Sequence, residues 1–77
     1  MYKTFDFELS IAKYDIESKT KLVLILEILN KYDGLITDAS ENEGFIGFDN
    51  LNNLENANYE LYKIGVCSNI WINGVKK

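Results

Sequence analysis

Apolar and polar residues alternate along the first segment of the chain, with Phe5, Phe7, Leu9 and Ile11 interleaved with Thr4, Asp6, Glu8 and Ser10. A period of two is that of a half-buried strand, here running from Tyr2 to Ile11. The period then lengthens. Leu22, Ile25, Leu26, Leu29 and Tyr32 recur every three or four positions, opposite Thr20, Glu27 and Lys31. That spacing predicts a helix capped by Asp15 and running to about Asp33, with Gly34 as its left-handed end. Leu35 to Asp38 reads as a short strand, 40–43 as a polar turn and Gly44 to Phe48 as the returning strand of a hairpin. A second helical pattern begins at Asp49 or Asn50 and ends near Gly65, carrying Leu51, Leu54, Asn58 and Leu61. Ile70 and Ile72 then alternate with Asn69, Trp71 and Asn73 in a last strand before Gly74 and the lysine tail.

The order β, α, β, β, α, β resembles that of ferredoxin-like domains: α+β, two layers, with a four-stranded antiparallel sheet carrying both helices on one face. The resemblance lies in the pattern of elements alone, and this arrangement hosts many unrelated functions. The expected core is Phe5, Phe7, Leu9, Leu22, Ile25, Leu26, Leu29, Ile36, Phe48, Leu54, Leu61, Ile70 and Ile72. With 77 residues and 47% hydrophobic content, the chain is expected to form one globular domain over 1–77. No apolar run reaches the ~20 residues of a membrane span. The first residues carry no basic region followed by an apolar stretch, so a cytoplasmic location is expected.

Charge narrows the function. Residues 1–31 balance five acids against five lysines, whereas residues 32–62 hold Asp33, Asp38, Glu41, Glu43, Asp49, Glu55 and Glu60 with no basic residue. All eight cations are lysine, so the arginine forks that read guanine edges or clamp phosphates are lacking, and direct nucleic-acid binding is disfavoured. The acidic block suits a basic protein surface instead. The chain has no histidine, the commonest general base and metal ligand, and its single Cys67 has only Lys63 nearby in sequence to activate it, so an inert, buried thiol is expected. Asp38, Ser40, Asn42 and Asp49 fall at positions 1, 3, 5 and 12 of a calcium loop, but position 6 is Glu43 where the loop requires glycine, and position 12 is the shorter aspartate. No metal, cofactor or enzymatic activity is expected.

The open face of the sheet is the better candidate site. If Phe5, Phe7 and Leu9 face the helices, then Tyr2, Thr4, Asp6 and Glu8 line the opposite face. Trp71 joins them, with Phe45 as a further member. Aromatic residues among carboxylates suit protein recognition, the rings anchoring contacts and the acids selecting a basic partner. The expected binding residues are therefore Tyr2, Asp6, Glu8, Asp33, Asp38, Glu41, Glu43, Asp49 and Trp71. In size, charge and lack of catalytic groups the chain resembles phage anti-defence (anti-CRISPR-type) inhibitors and the immunity proteins of nuclease toxins. That resemblance implies a non-enzymatic inhibitor occupying the nucleic-acid-binding surface of a partner enzyme. The alternative is a structural or regulatory homo-oligomer, because the first helix carries more apolar residues than one face requires and presents Leu24 and Ile28 as a possible dimer face.

Overall fold

A computed structural model describes residues 5–77. Its elements in chain order are β1 (Phe7–Ala12), α1 (Lys13–Glu17), α2 (Lys19–Lys31), β2 (Leu35–Ala39), β3 (Glu43–Phe48), α3 (Leu51–Lys63), β4 (Ser68–Ile72) and β5 (Val75–Lys76). The architecture is α+β, with a single antiparallel sheet in the order β2-β3-β1-β4-β5 and three helices.

The expectation of four strands and two helices is corrected at two places. The tail after Gly74 returns as β5, because Asn73 and Gly74 both take left-handed backbone conformations, φ 52° and 79°. A two-residue loop with both φ values positive matches the right-handed twist of the strands it joins. The first helical run is broken at Ser18, whose extended backbone and hydroxyl, accepting from the Lys21 N–H, cap α2. Asp15 is therefore not a cap. It lies in the first turn of α1, buried, and its carboxylate accepts from Lys21 Nζ at 3.0 Å.

Both long helices end by the same device. Asp33 (φ 56°) follows α2 and Gly65 (φ 83°) follows α3 in the left-handed region. The next amide bonds back to the helix, Gly34 N–H to Leu29 C=O at 2.8 Å and Val66 N–H to Leu61 C=O at 2.9 Å. At α2 the left-handed residue is thus Asp33, one place before the expected Gly34.

The core forms between the helices and the sheet face carrying Leu9, Ile11, Ile46 and Phe48, closed by Ile25, Ile28 and Leu29 of α2, Leu54, Ala57 and Leu61 of α3, and Val66. The helix face of α2 differs from expectation. Ile28 is 7% exposed and belongs to the core, whereas Leu26 is 46% exposed. Seven apolar residues crowd Leu22–Leu29 of α2, and such a helix has no single stripe by which periodicity can fix its rotation. Ile36, also expected in the core, is 49% exposed because its strand forms the sheet edge. Phe5, Phe7, Leu22, Ile70 and Ile72 are half-buried. Gly44 lies against α1: a Cβ there would overlap the end of the Ile16 side chain, which would have to turn aside. No helix among the described residues is long and apolar enough to cross a membrane.

Candidate protein interface

Strand register settles which residues share the open face. Cross-strand partners project to the same side, and β1 places Glu8 opposite Gly47 and Trp71, and Ser10 opposite Phe45 and Asn69. Phe45 and Trp71 meet edge-to-face across β1, with ring centroids 5.8 Å apart and planes at 64°. This is a favoured geometry for two aromatic quadrupoles. The Trp71 indole N–H donates to Ser10 Oγ at 3.0 Å, and the hydroxyl beneath the ring is buried. Glu8 accepts from the Thr37 hydroxyl at 3.0 Å. Asp38 lies opposite Phe45, and Glu43, two residues before Phe45, shares its side of the sheet. Lys76, opposite Trp71, is a cation on the same face.

Phe5 corrects the expected partition. It precedes β1, and a Cβ on Gly47 would overlap its ring. Gly47 points to the open face, so Phe5 lies there and not against the helices. The alternation that runs through Phe7 begins only at the strand itself. Phe5, Phe45 and Trp71 thus form a half-buried aromatic row on the side without helices.

The acidic residues, uninterrupted by a cation in sequence, are divided in space. Leu35 pairs with Gly47 at one end of the β2-β3 ladder and Ala39 with Gly44 at the other. Asp33 and Asp49 therefore sit at one end, with Asp38, Glu41 and Glu43 at the other, about 16 Å away along a five-residue strand. Asp6 joins the first group, since its C=O accepts from Asn73 N–H at 2.7 Å beside the β4-β5 turn. Glu41 is exposed in a turn held by Ser40, whose hydroxyl accepts from the Glu43 N–H at 3.0 Å. Glu55 and Glu60 lie on α3, in the other layer. Glu60 accepts from the Tyr32 hydroxyl and from Lys31 Nζ, the latter at 3.1 Å. The hydrogen bond from Tyr32 and then that from Lys31 hold the Glu60 carboxyl below the usual carboxylate range. The same contact with Glu60 raises the Tyr32 hydroxyl and the Lys31 ammonium above their ordinary values.

Of the remaining candidates, Tyr2 lies outside the described residues. Leu24 is exposed, but Ile28 points into the core and is unavailable to a dimer face. Cys67 is exposed, contrary to expectation, beside a shallow 360 Å³ depression lined by Asn58, Tyr59, Tyr62, Val66 and Ser68. Among the described residues no three Cys, Asp or Glu side chains come together in a metal-binding group.

The chain matches no protein-family model, no curated protein and no solved structure. The functional reading therefore rests on this geometry and charge.

Proposed function

We propose that the chain is a small, non-enzymatic, cytoplasmic protein-binding module that occupies a basic surface of a partner. The partner surface is of the kind a nuclease or another nucleic-acid-binding enzyme presents, so that binding inhibits it. This is the mode of phage anti-defence inhibitors and bacterial immunity proteins. We further read β1 to β4, with their helices, as a ferredoxin-like core to which β5 is added. The order β2-β3-β1-β4 with antiparallel neighbours supports that reading.

The observation that carries the function is the Phe45–Trp71 pair on the side of the sheet away from the helices, with Glu8, Asp38 and Glu43 around it. Aromatic anchors supply contact area and carboxylates select a cationic surface. Asp38, Glu41 and Glu43 at the hairpin end would stand in for phosphates.

The test is affinity capture from cells that carry the gene, using the tagged chain as bait. A basic, nucleic-acid-binding protein released by salt is the expected result, with retention lost on Phe45→Ser and association slowed by Asp38→Lys with Glu41→Lys. Capture indifferent to salt and to all three substitutions would overturn the reading.

A further inference from the structure

β2 is the terminal strand on its side of the sheet, so alternate N–H and C=O groups along it face away from β3 with no strand among the described residues to receive them. Its side chains are apolar for an edge. Leu35 and Ile36 are 54% and 49% exposed and project to opposite sides, Ile36 beside Ile46 towards the helices and Leu35 beside Gly47 on the open face. Between α2 and this edge, Leu26, Leu29, Asn30, Gly34, Leu35 and Ile36 line a groove of 320 Å³. The charges carried by this stretch of the chain are acidic. Asp33 before the strand, Asp38 within it and Glu41 after it are exposed, and residues 32–62 contain no lysine. Lys31, the nearest cation in sequence, is held by Glu60.

We propose that the β2 edge accepts an extended segment of a basic partner protein by strand addition, the segment being apolar at its centre and flanked by lysine or arginine. This rests on the reading that the chain binds a basic partner and names a second contact for it. Backbone hydrogen bonds hold the segment, and its alternate side chains enter the Leu26/Ile36 groove and cover Leu35. The ladder between β2 and β3 shifts register between Ile36 and Asp38, so regular addition runs along residues 34–36 and the flanking cations meet Asp33 and Asp38. A second copy of the chain fits this edge less well. Antiparallel pairing of β2 with itself about Leu35 or Ile36 sets Asp33 of one copy opposite Thr37 or Ala39 of the other, next in sequence to its Asp38, so acids of like sign gather at each end of the pairing.

The experiment titrates the isotopically labelled chain with a heptapeptide of Val-Ile-Val flanked by two lysines on each side, with the same peptide carrying glutamates as control. Resonance shifts at residues 34–36 and slowed exchange of the Leu35 or Ile36 amide that faces away from β3 are expected with the lysine peptide, the Gly34 N–H being already bonded to Leu29 C=O, and binding about two- to thirtyfold weaker with Asp33→Lys and Asp38→Lys combined, as loss of two exposed ion pairs implies. Ile36→Asp, or the milder Leu35→Ser, should remove binding while circular dichroism remains that of the wild type. No response at residues 34–36 at millimolar peptide, or equal binding of the acidic peptide, overturns the proposal. Either result leaves the open-face reading to its own test of salt and Phe45. A dimer seen by sedimentation and lost in Ile36→Asp would instead assign the groove to a second copy and likewise overturn it.

Discussion

The Trp71 indole N–H donates to the Ser10 hydroxyl across 3.0 Å, joining β4 to β1 on the face away from the helices. Ser10 is buried, so its hydroxyl depends on the ring above it for a partner shielded from water. Trp71 is thus at once a candidate anchor for a partner and a lid over a polar atom of the sheet.

Replacing the donor alone should therefore cost more than replacing both groups. Trp71→Phe is expected to lose about 1–3 kcal/mol, the range for leaving a buried polar group unsatisfied. Ser10→Ala in that background should recover part of the loss. Urea unfolding of the two single variants and the double variant measures the coupling, and strictly additive losses would show that the contact contributes nothing.

The rotation of α2 yields a second pair of outcomes. Ile28→Ala is expected to lose about 2–5 kcal/mol as a core truncation, whereas Leu26→Ala, half exposed, should lose less than about 1.5 kcal/mol. Chemical denaturation of both variants checks the order, and a larger loss at Leu26 would reverse the helix face.

Asp15 is a buried carboxylate whose ammonium partner is partly open to solvent. Lys21→Ala leaves that charge without its counterion and should cost about 1–3 kcal/mol. Lys19→Ala, at an exposed position of the same helix, should stay within about 0.5 kcal/mol. Equal melting temperatures for the two variants would remove the pair from the stability of the α1-α2 junction.

The Glu60, Tyr32 and Lys31 cluster predicts a pH window. Because Glu60 is held low by its partners, its contribution is present above the ordinary carboxylate value and disappears as pH falls through its lowered one. Tyr32 and Lys31 are raised, so theirs is complete below their ordinary values and disappears as pH rises through the raised ones. The stability difference between wild type and Tyr32→Phe should therefore be widest near neutrality and narrow on both the acid and the alkaline side. Thermal melts at a series of pH values measure it, and a difference constant with pH would show that the contact is not coupled to ionisation.

Much of the fold was legible because its signals are short-range. Alternation around Leu9 and Ile11, the turn between Asp38 and Gly44, and Asn50 before α3 each belong to a local rule. The fifth strand was legible in principle too: Asn73-Gly74 between Ile72 and Val75 is a strong hairpin signal, hidden by the lysines that follow. The break at Ser18 also has a local sign in a capping hydroxyl three residues before Lys21. By contrast, the choice between Leu26 and Ile28, and the exposure of Ile36, are set by which strand becomes the edge and how α2 leans on α3. No window of sequence contains that information. The site divides in the same way. Trp71 and Phe45 followed from strand parity, while Phe5 crossed to the other face because Gly47 left room for it. The acidic block, a single run in the sequence, is separated by the length of the sheet.

The position of β1 between β3 and β4 also governs when the sheet can be completed during synthesis. One edge of β1 is matched by residues 43–48, but the other waits for residues 68–72. A nascent chain that has produced only β1 to β3 presents β1 as an open edge, with one side of Phe7, Leu9 and Ile11 lacking its neighbours. Closure of the sheet therefore follows the appearance of Ile72, and any agent that protects the growing chain must cover that edge until then.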